Sequence, residues 1–160
     1  MSGRTTAQQR RVWQNFLVLN ESFRREIGRD LWETSQLSEA DFTVLARLAS
    51  AQDALMRSTE LARALDWETG RMSHQLRRME QRGLVKRCRG TDEDGRAALV
   101  SLTEDGLATY RRSLGPHWQS VKRWFLDGIE PDRLDQIEAI LQMLLDHFQH
   151  TQHKPSKEES

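Results

Sequence analysis

Apolar positions along this chain follow first a helical period, then briefly a strand period, then a helical one again. Over residues 8–33, Val12, Phe16, Leu19, Phe23, Ile27 and Leu31 recur at spacings of three and four, which predicts a long first helix. Ser38 stands where a helix N-cap is needed, and Glu39 and Asp41 follow in the first turn, where negative charge suits the helix dipole. Phe42, Leu45 and Leu48 supply the apolar face of this second helix, which is expected to end near Ser50. Residues 51–54 read as a loop. Ser58 or Thr59 is the expected cap of a short third helix, with Leu61, Ala62 and Leu65 turned inward and a stop near Asp66. A fourth helix is predicted over 68–82 on the stripe Met72, Leu76 and Met79, closing at Gly83, a residue that accepts the left-handed conformation.

Between 84 and 102 the period changes. Leu84, Val85 and Cys88, and then the run 97–102, read as two short strands around a polar turn that begins at Gly90 and ends at Gly95. Thr103, Glu104 and Asp105 mark the start of another helix, whose face is Leu107, Tyr110, Leu114, Trp118, Val121 and Phe125. Gly115-Pro116 predicts a kink or break within it, and Gly128 its end. Pro131 opens a last helix carrying Leu134, Ile137, Leu141, Leu144, Leu145 and Phe148. Residues 151–160 are polar and expected to be disordered. The fold class that follows is mainly α with a small two-stranded antiparallel wing, a winged helix–turn–helix among six helices. Residues 1–35 and 103–150 are expected to be dimerisation helices, and 36–102 a DNA-binding domain.

Charge sharpens the picture. The chain has 24 Lys and Arg against 24 Asp and Glu, so net charge alone points to no partner. The distribution does. Arg71, Arg77, Arg78, Arg82, Lys86, Arg87 and Arg89 fall within 71–89, opposed only by Glu80, whereas 91–150 is acidic. A basic block confined to one element is the footprint of nucleic-acid binding. The single cysteine, Cys88, allows no disulfide within the chain. Neither a secretory core nor a run of ~20 apolar residues is present, so a soluble cytoplasmic protein without membrane contact is expected.

The third and fourth helices, joined at Asp66-Trp67, form a helix–turn–helix. A helix that enters the major groove must be braced by another and must present donors on its outer face. Removing the inward stripe leaves Arg71, Ser73, His74, Gln75, Arg77 and Arg78 on other faces. The hairpin adds Lys86, Arg87 and Arg89, and its tip carries Asp94-Gly95-Arg96, an arginine suited to the minor groove with a carboxylate able to aim it. The candidate DNA-binding residues are therefore Ser58, Thr59, Arg71, Ser73, His74, Arg77, Arg78, Arg87, Arg89, Asp94 and Arg96.

Five segments together carry a family resemblance: 58–62 (Ser-Thr-Glu-Leu-Ala), 71–76 (Arg-Met-Ser-His-Gln-Leu), 79–87 (Met-Glu-Gln-Arg-Gly-Leu-Val-Lys-Arg), 92–96 (Asp-Glu-Asp-Gly-Arg) and 100–106 (Val-Ser-Leu-Thr-Glu-Asp-Gly). Over roughly residues 40–110 the chain resembles the MarR family of bacterial regulators, and the wing signature, Asp-x-Arg followed by an apolar strand and Leu-Thr-x-x-Gly, is its most specific part. The resemblance implies a homodimer on double-stranded DNA, interlocked through its first, fifth and sixth helices. It also implies a small aromatic ligand whose binding loosens the grip on the operator. Glu68 and Gly70 depart from the family's usual start of the recognition helix, and the first helix lacks the cysteine used by the family's peroxide sensors.

The five tryptophans read as core and interface packing, with Trp67 a plug between the paired helices. His147, His150 and His153 lack the companions of a metal site. No P-loop, dinucleotide turn or nucleophile elbow is present, so neither catalysis nor a cofactor is expected. The alternatives are a winged-helix protein-interaction module, against which the basic recognition helix argues, and an activator in place of a repressor.

Overall fold

A computed structural model describes residues 5–89 and 98–152. These fall into two compact units, Met1–Val121 and Lys122–Ser160. In chain order the helices are α1 (Ala7–Ser35), α2 (Glu39–Ala49), α3 (Ser58–Ala64), α4 (Thr69–Gln81), α5 (Glu104–Trp124) and α6 (Leu134–Gln152), and the strands are β1 (Leu55–Arg57), β2 (Val85–Arg89) and β3 (Ala98–Leu102). The mainly helical fold with a small antiparallel wing is as expected. The C-terminal part of the expected tail, 153–160, lies outside the described residues, while Thr151 and Gln152 still belong to α6.

Helix starts follow the capping chemistry. Ser38 accepts from the Asp41 N–H and Asp41 returns the bond to the Ser38 N–H, a reciprocal box that satisfies two otherwise unpaired donors. Thr103 likewise accepts from the Gly106 N–H at 2.9 Å. The third helix departs from expectation. It begins at Ser58, so the cap position falls on Arg57, and the Glu60 carboxylate accepts from the Arg57 N–H. The cause is the strand β1, which holds Arg57 extended until the helix begins.

That strand is the main addition to the sequence reading. β3 is the centre of a three-stranded antiparallel sheet in the order β1-β3-β2, with Met56 opposite Val100 and Arg87 opposite Val100 on the other side. Three residues are too few to carry a legible alternation; pairing with β3 makes them a strand. Helix α5 also runs without a break through Pro116. The proline removes one backbone donor, but the face on which Ser113 and Ser120 are buried continues across it.

The core of the first unit joins α2, α3, α4 and the sheet. Leu37, Val44, Leu45, Leu48, Leu61, Met72, Leu76, Met79, Val85 and Val100 are all buried in one cluster. Each such side chain contributes roughly 1.5–3 kcal/mol relative to exposure. The turn after α4 locks onto the start of α5. Gly83 takes a φ of 69°, and the Thr103 hydroxyl donates to its carbonyl at 2.6 Å. Gly106 packs so tightly there that a Cβ would stand 1.9 Å from the Leu84 carbonyl oxygen. Asp30 of α1 is buried against α5, where Ser120 donates to its carboxylate at 2.6 Å.

Elsewhere the apolar stripes face outward. On α1, Val12, Phe16 and Leu19 are exposed, and only toward its end does Leu31 enter the core. In the second unit no described side chain is buried, and Leu141, Leu144, Leu145 and Phe148 of α6 all lie open.

Candidate nucleic-acid interface

The helix–turn–helix is built by backbone bonds around a sharp reversal. Asp66 adopts a left-handed φ of 52°, and the Trp67 N–H returns to the Ala62 carbonyl at 2.9 Å. This sends α4 away from α3 with Met72, Leu76 and Met79 inward, as the stripe predicts. Arg71, Ser73, His74, Arg77 and Arg78 all stand exposed on its other faces. Thr59 is exposed and Ser58 half-buried at the start of α3, close to the turn in sequence.

Gln75 requires a correction. It was expected on an outer face, but it is buried, and its amide donates to Asp41 at 2.6 Å. The same carboxylate accepts from Arg82 at 2.6 Å, and Arg82 also donates to the Gln36 carbonyl. Asp41 is 1 % exposed. One buried carboxylate thus ties α4 at two positions to the α1–α2 junction while it caps α2. Arg82 is therefore a brace for the recognition helix. The arrangement has a trace in sequence: Met72, Gln75, Met79 and Arg82 continue the spacing of three and four. It is masked because two of the four are polar.

The wing cations divide similarly. Arg87 is held by Glu80 of α4 through two guanidinium bonds, one at 2.9 Å. The Arg87 bond holds the Glu80 carboxyl below its ordinary range. Lys86 and Cys88 are exposed on β2. Arg89 pairs through its backbone with Ala98 at the end of the strand ladder. Asp94 and Arg96 lie outside the described residues. Among the described residues, the side chains of Arg71, Arg77, Arg78 and Lys86 make no hydrogen bond or ion pair to protein. Arg71 instead lies over the ring of Trp67, 4.2 Å from its centroid. Trp67 is half-buried against the core, which agrees with its expected role as a plug and adds a second one.

A separate cleft of about 310 Å³ opens within the first unit. Phe23, Ile27 and Leu31 of α1, Phe42 and Thr43 of α2, and His117 of α5 line it. The lining is mostly apolar. His117 packs on Phe42 with ring centroids 4.3 Å apart, and its Nδ1 is buried without a hydrogen-bond partner. Burial pushes this imidazole below its ordinary value of 6.5. Arg24 and Glu39 pair at the rim.

Residues 37–97 match the family model described as MarR family. Over nearly its whole length the chain superposes on AbsC, a MarR family transcriptional regulator from Streptomyces coelicolor, with a TM-score of 0.82 and 29% identity, covering 93% of this chain and 99% of that one. Residues 37–97 are of the MarR family. Within the MarR fold the chain is also similar to Sco3205 from the same organism, a MarR family transcriptional regulator solved in complex with DNA, with a TM-score of 0.82, 23% identity and 97% of each chain covered. A curated relative, the organic hydroperoxide resistance transcriptional regulator of Bacillus subtilis strain 168, is 39% identical over 62 residues. That match takes in 39% of this chain and 42% of the relative, so the chain spans less than half the length of that relative. MarR proteins are regulators and not enzymes, in agreement with the sequence reading.

Proposed function

We propose that this chain is a sequence-specific transcriptional regulator that binds a pseudo-palindromic operator as a homodimer and acts as a ligand-responsive repressor. The observation that carries the reading is the outer face of α4. It is the second helix of a helix–turn–helix, and it offers Arg71, Ser73, His74, Arg77 and Arg78 with their polar groups open. Donors of this kind suit base edges and phosphates in a major groove. Lys86 and Arg87 on β2 extend the contact to the flanking backbone; Arg96, outside the described residues, is the further cation assigned to this contact from the sequence. The relative Sco3205, which binds DNA, supports this use of the fold.

Dimerisation is supported by the open apolar stripes of α1 and α6, since water-exposed rows of this length normally find a partner. Residues 1–35 and 103–150 would supply the interface and bring two recognition helices about one helical turn (~10 bp) apart. The cleft beside Phe42 and His117 suits a small, mainly apolar aromatic ligand with one hydrogen-bonding group for the free Nδ1.

Fluorescence anisotropy with duplexes from the region upstream of the chain's own gene tests the reading. Nanomolar binding that falls steeply with salt is expected, from a species that light scattering identifies as a dimer. A monomer, or a dimer that retains no duplex at about 50 mM salt, overturns it.

A further inference from the structure

The outward cations of α4 are not equivalent. Among the described residues, Arg71 alone of the three has a described ring contact: its guanidinium carbon stands 4.2 Å from the centre of the Trp67 ring. Trp67 is itself immobilised. Its N–H is bonded to Ala62, the preceding residue is in the left-handed conformation, and its ring packs against the core. The base of this contact therefore belongs to the rigid part of the domain.

Helix stability does not explain the arginine. Arg71 lies in the first turn of α4, where the dipole disfavours a cation, and this turn has neither an acidic residue nor a side-chain cap. A cation held there against the dipole, with its N–H donors committed to nothing among the described residues, is arranged for something outside the chain. A phosphate contact needs no fixed direction and is met by a mobile lysine or arginine. A guanine edge does need one: its O6 and N7 take two parallel N–H bonds from a single guanidinium held in plane. An arginine resting on an aromatic ring has lost most of the rotamer freedom that such a bond would otherwise cost.

We propose that Trp67 is a specificity-positioning residue, which holds Arg71 as the reader of one guanine in each operator half-site. The inference rests on the operator-binding reading above. It further assigns Arg77 and Arg78 less base discrimination than Arg71.

The test is selection of binding sites from a randomised duplex pool by the full-length chain and its variants, with thermal midpoints measured alongside. The wild type is expected to select guanine at one symmetric position in each half-site. Arg71→Lys keeps the charge but lacks the fork, and should lose that preference by about 5- to 100-fold while retaining non-specific binding. Trp67→Leu should lose the same preference at the same position, with an unchanged salt slope on random duplex. Trp67→Phe keeps an aromatic face and should retain it. A purely structural role for Trp67 would lower affinity for all sequences and leave the base preference intact. Guanine selection that survives in Trp67→Leu overturns the inference. So does survival in Arg71→Lys, which keeps the test decisive if the leucine variant does not fold. A wild type that retains no duplex overturns the operator reading itself, a different result from a wild type that selects an operator with no guanine opposite Arg71.

Discussion

Replacing Asp41 by alanine should cost the domain more than any other single truncation at the helix junctions. The carboxylate is 1 % exposed, and it accepts from the Gln75 amide, the Arg82 guanidinium and the Ser38 N–H. Alanine strands all three donors. A buried donor left without a partner costs about 1–3 kcal/mol, which applies in full to the Gln75 amide. Ser38 is only half-buried and can turn to water. The Arg82 side chain is 34% exposed, so solvent softens its loss, and the 3–5 kcal/mol typical of breaking a fully buried pair is an upper bound. The sum lies near 3 kcal/mol, or roughly 6–12 °C in midpoint for a chain of this size. Urea and thermal unfolding should be compared at matched protomer concentration, because the stability of a dimer depends on it. DNA affinity should fall as well, since two of the three donors orient α4. A loss under about 1 kcal/mol would refute the reasoning and place water or alternative partners where the carboxylate stood.

Other outcomes are expected elsewhere. Gly106→Ala should destabilise by about 2 kcal/mol or more, because the new Cβ would stand 1.9 Å from backbone and α5 would have to shift; denaturant titration measures it. Burial favours neutral His117, so the unfolded chain takes up its proton first as pH falls below 6.5. Stability should therefore be full above that value and decline below it, by no more than ~1.4 kcal/mol per pH unit; thermal midpoints from pH 7.5 to 5.5 should show His117→Phe with a flatter profile. Arg77→Ala with Arg78→Ala should weaken binding to random and operator duplex alike and reduce the salt slope by about one to two per subunit, read by anisotropy from 50 to 300 mM salt.

Much of this protein was legible along its sequence, because the legible features are local. The stripe of Met72, Leu76 and Met79 repeats at helical spacing, and the three are buried. Ser38 and Thr103 cap helices because a hydroxyl reaches an N–H three residues on, whatever surrounds it. Gly83 ends α4 because the turn requires a positive φ. The basic block and the wing signature carry the family resemblance in the sequence itself. What the tertiary structure decided was the employment of polar side chains and short segments. Seven cations between Arg71 and Arg89 look alike in sequence, yet Arg82 is tied to a residue 41 positions away and Arg87 to Glu80, while Arg71 rests on a tryptophan. Gln75 is polar and buried because Asp41 waits for it, and β1 is a strand because β3 lies beside it. An apolar helix face follows from a period repeated along the chain, so it can be read from the chain. A hydrogen bond or an ion pair is settled by one partner brought close by folding, and no repeat announces it.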